Sequence, residues 1–524
     1  MNALDWFIIV IYLGGMIGLS VYLGRGQSSQ EDYFVGGRKL SWWSVGISTM
    51  ATQTSAISFI SIPAFVALKE GGGLTWLQYE LAVPLAIILV MVLLIPFFRK
   101  LRLVSVYEYL EWRFGPSVRY LVSGVFLVSR GLGTAVGVYA SAIVLAVCLG
   151  IPLWSTILLI GVVTVIYDTI GGITAVVYSD VIQMVILISG IILCIVYAAD
   201  IVGGLVDVWT AFPESRRIAI DPSAGLSGAV TSVPFWPFLF GGIFLYTSYY
   251  GTDQSQVQRE LSAATTADTK KSLLLNGFTR FPLTILYVLL GMVMLAVYEQ
   301  SPALNLSVPY DKPDYLIPQF ILLYLPQGLR AVIFASLLSA AMSSLDSALN
   351  SLSAATMQDF FAPHLKDSSR FLLISKLTTV GWGALITGFA FLVGNISETV
   401  IESINKIGSA FYGPILAAFV VGVLSRKANA RSVTTGILGG VGFNLLLWLT
   451  SPGIYWMWWN LSGFLIAAGV SYFLALMDRS PRPDNIARYV LRGADLFEEE
   501  RRWFPAYAIL IMYFLLILTI LLLI

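Results

Sequence analysis

The chain has 524 residues, 57% of them hydrophobic and only 12% charged, with a formal net charge of +1. Its mean hydropathy of +0.82 exceeds what a soluble domain of this length tolerates, and so near-neutral a balance gives nucleic acid no footprint. The two cysteines, Cys148 and Cys194, fall inside apolar segments and suggest no disulfide framework.

A membrane span needs about 20 apolar residues. Fourteen segments qualify: 4–24, 41–68, 75–97, 119–149, 152–172, 178–200, 234–256, 270–298, 327–352, 370–395, 398–424, 431–450, 454–476 and 504–524. The expected fold class is therefore an all-α polytopic membrane protein of about 14 transmembrane helices. The first segment lacks a basic leader and a small-residue cleavage site, so it reads as a helix rather than a signal peptide. The connections after the first, third, seventh, ninth, eleventh and thirteenth spans hold 22 of the 31 Lys and Arg. The opposite set holds four: Lys69, Arg216, Arg217 and Lys312. Basic connections stay in the cytoplasm, which places both termini outside, in a plasma membrane or a bacterial inner membrane.

Segment 41–68 carries Ser48, Thr49, Thr52, Gln53, Thr54, Ser55, Ser58 and Ser61 through its middle, followed by Pro63. Segment 234–256 passes through Gly241-Gly242 to Tyr246, Thr247, Ser248, Tyr249, Tyr250, Gly251 and Thr252. Such midsections are poor lipid-facing helix and are tolerable where unwound backbone lines a cavity and coordinates an ion. Ordinary back-bonding of Ser and Thr to the i−4 carbonyl is the competing reading. Each segment opens a run of five spans, so the second run is inserted upside down relative to the first. The expected organisation is 1–40, an extra helix and loop; 41–200, a first five-helix repeat; 201–233, an extracellular connection; 234–424, the inverted second repeat; and 425–524, extra helices.

Segment 327–352 hides a stripe of Ser339, Ala340, Ser343, Ser344, Asp346, Ser347 and Asn350 at three- and four-residue steps, mostly on one helix face. Hydroxyls and a carboxylate suit a small hard cation, while small residues and serines equally suit helix packing. Alone, the stripe leaves both readings open. Arg130, Arg280 and Lys406 lie deep within spans, as do Glu80, Asp180, Asp253, Asp346 and Glu402. Intramembrane charges either pair as internal salt bridges or mark a pathway. His364 reads as a solvated loop residue, and 477–503 as a solvated connector.

Several ordered motifs resemble the sodium/solute symporter family of sodium-coupled sugar, sialic acid and monocarboxylate transporters. They are Glu31-Asp32-Tyr33-Phe34 with Gly36-Gly37, Trp42-Trp43, Tyr167 with Gly171-Gly172, Ala175-Val176-Val177, Ser179-Asp180 with Gln183, Gln258-Arg259, and Ser343-Ser344 with Asn350. The resemblance runs from about residue 5 to 425. It implies a leucine-transporter-type fold, and symport of a small organic solute with one or two sodium ions as the cofactor, importing by alternating access. It also implies a principal sodium site at the carbonyls of Ala51, Thr54 and Ala340 and the hydroxyls of Ser343 and Ser344. A second cation site is implied at Asp180, Ser343, Asp346 and Ser347, where Asp346 departs from the serine the family leads one to expect.

For the solute the resemblance points two ways. Glu80 after Tyr79 is similar to a sugar-contacting glutamate, Arg280 falls where sugar carriers place a lysine, and Tyr249 and Tyr250 resemble an aromatic pair beneath the substrate. Arg130 instead resembles the arginine that holds a sialic acid carboxylate, while Ser58 and Tyr246 stand where amides would contact sugar. The expected substrate-facing set is Gln53, Ser55, Ser58, Tyr79, Glu80, Arg130, Tyr246, Tyr249, Tyr250, Arg280 and Lys406. Three deep cations favour a carboxylate, for which arginine offers a bidentate fork; a sodium/sugar symporter is the alternative. No nucleophile with a base, metal cluster or phosphate loop points to an enzyme. A membrane sensor would need a soluble output domain after the core.

Overall fold

Backbone inside hydrocarbon must satisfy its own hydrogen bonds, and the apolar segments accordingly become helices. The computed structural model describes residues 2–220, 222–223, 233–309, 312–362, 370–393, 400–451, 453–478, 484–491 and 500–524. Among them the only β-pairing is an isolated bridge between Leu40 and Ala263. His364 lies outside the described residues, as does the side chain of Glu402.

Helix α1 (Ala3–Leu23) starts on a capping box in which the Asn2 side chain accepts from the Asp5 N–H at 2.9 Å. Segment 41–68 is two helices, α2 (Trp42–Gln53) and α3 (Ala56–Ala67), bent by 57°. Thr54 and Ser55 are extended at the joint, and Ser55 caps α3 by accepting from the Ser58 N–H at 3.4 Å. The polar midsection breaks this helix as expected.

Helix α4 (Val83–Leu93) follows a 3₁₀ turn at Leu74–Glu80, and α5 (Pro116–Leu149) ends on left-handed Gly150. Segments 152–172 and 178–200 join end to end in α6 (Leu153–Val202), 50 residues long. A straight helix of that length would measure ~75 Å against a hydrocarbon core of ~30 Å. It is divided at Gly172, whose φ of 56° and ψ of −162° suit glycine, and where a Cβ would sit 2.7 Å from the Tyr33 carbonyl oxygen.

Segment 234–256 overturns an expectation. Its glycine-rich middle is not unwound: a π-helical turn at Pro237–Gly241 runs directly into α7 (Gly242–Thr252). The glycines serve close packing instead, since a Cβ on Gly241 would lie 2.3 Å from the Met457 carbonyl oxygen. Within the polar run Thr252 back-bonds to the Ser248 carbonyl at 2.9 Å, while Ser248 and Tyr246 donate across to the carbonyls of Tyr412 and Tyr79, each at 2.8 Å. The chain breaks later, at Asp253, which caps α8 (Gln254–Ser262).

The long helices that follow are α9 (Thr266–Gln300), α10 (Leu329–Ala355), α11 (Phe371–Leu392), α12 (Val400–Leu424), α13 (Ala430–Thr450), α14 (Trp458–Met477) and α15 (Phe504–Leu523). Among the described residues ten helices are long and apolar enough to cross a membrane, eleven with the bent pair. Helix α10 is the most deeply buried of these and packs on α2, α3, α5, α6 and α8, which places the polar stripe at the centre. The connector 477–503 is not solvated at its end. Glu500 is buried, where its carboxylate accepts from Lys270 Nζ at 2.5 Å and from the Tyr507 hydroxyl.

Candidate functional site

A cavity of about 270 Å³ opens at the α2–α3 joint. Nine of the residues expected to face substrate line it: Gln53, Ser55, Ser58, Tyr79, Glu80, Arg130, Tyr246, Tyr249 and Arg280. Tyr250 does not. It is fully buried behind the wall and donates its hydroxyl to Gln53 Oε1 at 3.1 Å. Lys406 is also outside the lining. Helix α12 turns Gly408, Phe411, Tyr412 and Ile415 to the cavity.

The two arginines of the lining differ sharply. Arg280, on α9, holds Glu80 with a fork: Nη2 to Oε1 at 2.5 Å and Nε to Oε2 at 3.4 Å. Its third nitrogen, Nη1, donates to Thr54 Oγ1 at 3.3 Å, which ties the pair to the helix break. Arg130, on α5, has Nη1 3.9 Å from Asp253 Oδ2 and its guanidinium carbon 6.0 Å from the centre of the Tyr249 ring. Both acids were expected within spans; which arginine each would meet was not legible.

The groups expected for the principal sodium site lie on α2, at its joint with α3, and on α10, which packs on both of these helices. The Ala51 carbonyl accepts from the Thr54 N–H at 2.9 Å, and the Ala340 carbonyl from the Ser344 hydroxyl at 3.2 Å. The Ser343 hydroxyl donates to Asp180 Oδ1. Carbonyl and hydroxyl oxygens carry two lone pairs, so each of these arrangements leaves acceptor capacity for a cation. Thr54 and Ser344 also line the cavity.

Deeper in the same seam the structure brings Asp180, Ser343, Asp346 and Ser347 together and adds a residue that sequence reasoning misplaced. Arg259 belongs to the basic connection after the seventh span, yet it is completely buried. It donates from Nε to Ser48 Oγ at 2.8 Å, and from Nη2 to Ser347 Oγ at 2.5 Å and Asp180 Oδ2 at 3.3 Å. The protein's own cation thus stands against Asp180 and Ser347, two of the residues expected to form a second cation site. Asp346 accepts from the Tyr167 hydroxyl at 2.5 Å and from Ser347 at 3.3 Å. Asn350 accepts from Gln258 at 2.6 Å and donates to Asp168 at 3.4 Å. Asp168 was missed, although a carboxylate inside an apolar segment was signal enough.

The reason Arg259 reaches this depth is α8, a polar helix buried along all nine residues. Counting charges per connection treats such a helix as a loop. Glu260, next in sequence, accepts from the Thr49 hydroxyl at 2.9 Å and from Ser272; burial pushes its carboxyl up to about 7.

Residues 33–440 match the model of the sodium:solute symporter family. The chain belongs to this family. It is 30% identical to the sodium/sialic acid symporter NanT of Aliivibrio fischeri, over 91% of this chain and 94% of that one. It is also 30% identical to the human sodium/iodide cotransporter, over 84% of this chain and 68% of that one. The solved substrate-bound, outward-open state of a Na+-coupled sialic acid symporter, which reveals a novel Na+ site, matches at a TM-score of 0.83 and 26% identity. That match covers 92% of this chain and 99% of the other. The protein is a multi-pass, sodium-coupled solute symporter, and sodium is its coupling ion.

Proposed function

We propose that this symporter takes up a small organic solute bearing a carboxylate, sialic acid or another organic acid, and that Arg130 holds the carboxylate. One observation carries the reading: of the two arginines lining the cavity, Arg280 is closed by Glu80 at 2.5 Å, while Arg130 stands 3.9 Å from its acid. A planar fork turned to a cavity suits a carboxylate. The solutes named for the two relatives, sialic acid and iodide, are both anions. The sugar alternative draws less support, because Glu80 and Arg280 would have to release each other to bind a neutral solute.

Sodium is assigned to Ala51, Thr54, Ala340, Ser343 and Ser344, and a second cation to Asp180, Asp346 and Ser347 beside Arg259. The finer architecture is fourteen spans, with inverted repeats at 41–200 and 234–424 flanked by 1–40, 201–233 and 425–524, and both termini outside the cytoplasm. The division of α6 at Gly172 and the bent pair opening the first run support it. Sodium bridging the two repeats would make sodium and solute affinities rise together.

Uptake into proteoliposomes under a sodium gradient, with sialic acid and its neutral 1-amide, tests the assignment. The acid is expected to be preferred by about 100-fold or more, as for a site built to pair a charged group. Arg130→Lys should weaken acid uptake, and Arg130→Ala should weaken it further. Ser343→Ala with Ser344→Ala should raise the sodium concentration needed. An amide carried as well as the acid would end the carboxylate reading, and an unchanged sodium dependence would end the sodium assignment.

A further inference from the structure

The arrangement around Asp253 carries an inference that rests on the assignment of Arg130. Asp253 sits at the break between α7 and α8, nearly inaccessible yet lining the cavity. Its two carboxylate oxygens have separate partners. Oδ1 caps α8, accepting from the Ser255 N–H at 2.8 Å and the Ser255 hydroxyl at 2.5 Å. Oδ2 is turned to Arg130 at 3.9 Å. Capping needs only the first oxygen. The second presents to Arg130 the same functional group that an acidic solute would bring.

At 3.9 Å the pair is attracted but not seated in a fork, and its setting differs from that of Arg280 and Glu80 in the same cavity. An arginine locked by its acid at hydrogen-bond length is closed to ligands. An arginine with no charge beside it would sit desolvated in a low-dielectric seam, which is costly. A loosely held carboxylate meets both demands, keeping the guanidinium compensated when the cavity is empty and yielding when a better-placed anion arrives.

We propose that Asp253 is a resident anion for Arg130, displaced by the carboxylate of the solute, and that it thereby sets the affinity and specificity of the site for acids. Competition by an internal group lowers apparent affinity by the fraction of sites it leaves open. Its release also has a route outward. Asp253 begins α8, nine residues or ~13 Å long at ~1.5 Å per residue, and α8 carries Arg259 against Asp180 and Ser347. Displacement at the cavity end therefore acts on the same rigid helix that reaches the cation cluster.

The test uses the full-length protein in proteoliposomes at saturating sodium, with sialic acid and its 1-amide as probes. Asp253→Asn and Asp253→Ser both retain a capping oxygen and remove the charge. Either variant should lower the KM for the acid about tenfold and leave the KM for the amide within about twofold. A rise in the KM for the acid would show that Asp253 orients Arg130 rather than competing for it, and would overturn the proposal. Equal shifts for acid and amide would assign Asp253 a structural role and would overturn it too. If both variants fail to fold, the carboxylate is structural and the proposal falls. Wild-type protein that treats acid and amide alike would defeat the assignment of Arg130 itself, and this proposal with it. A wild-type preference for the acid that neither variant alters would defeat the proposal alone.

Discussion

Arg280 and Arg130 enter one cavity from α9 and α5, each beside an acid, and the two ends of the cavity differ by little more than an ångström of separation. At the first, a fork at 2.5 and 3.4 Å, with Thr54 as a third partner, spends the donors of Arg280 on the protein. At the second, Asp253 stands 3.9 Å away and shares its other oxygen with a helix cap. The first end joins α9 to the broken helix; at the second the guanidinium and the carboxylate lie farther apart. A deep charge in a membrane protein is therefore not a binding residue by virtue of its depth. What distinguishes the two cases is how completely the protein has already answered it.

The largest effect that would break this comparison is at the closed end. Glu80→Ala would leave Arg280 buried without its carboxylate, at a cost of about 3–5 kcal/mol. A lower melting temperature and a lower yield of folded protein in detergent should report it. Glu80→Leu combined with Arg280→Met should recover much of the loss, since apolar replacements of a buried pair are often neutral. If the single variant melted like wild type, the closed end would not be a lock.

An intermediate effect should appear where Arg259 meets the carboxylates. Asp180→Ala removes the partner of a fully buried guanidinium and two hydroxyls, and should abolish most transport. Asp346→Ser leaves Arg259 paired and should preserve transport with a several-fold shift in sodium dependence. Two carboxylates sharing a seam are both ionised only with cations between them, so that shift should vary with pH. Uptake measured against sodium at several pH values separates the two variants; identical curves for wild type and Asp346→Ser would remove Asp346 from the cation site.

The smallest effect concerns Glu260 on α8. Burial raises its carboxyl from 4.5 to about 7, so the folded protein holds this proton more tightly than the unfolded chain. The resulting stabilisation is full below about 4.5 and is lost as pH rises through about 7. Glu260→Gln should flatten the decline of melting temperature between about pH 5 and 8. A decline unaltered in the variant would show that other groups govern it.

Local pattern made the helices legible. The polar run in 41–68 predicted a break, and the chain bends there, because a capping Ser55 offers the backbone another conformation. The same reasoning failed for 234–256. Gly241-Gly242 looked like unwound backbone, but the glycines admit Met457 and Ala82 at close range, and nothing local distinguishes a glycine that bends from one that packs. Lys406 lies outside the cavity lining for a related reason: its depth was readable, while the face of α12 turned to the cavity was not.

The sequence by itself determined that this is a polytopic helical membrane protein of the symporter type, with a helix break in the polar midsection of 41–68 and a serine stripe at 339–350, since hydropathy, capping and turn chemistry act between near neighbours in the chain. Only the tertiary structure decided how each charge is answered. Arg280 and Glu80 are 200 residues apart in sequence, and Arg259 and Asp180 are 79 apart. Whether two such groups meet at 2.5 or 3.9 Å depends on helix packing set far from either of them, which no local pattern in the chain encodes.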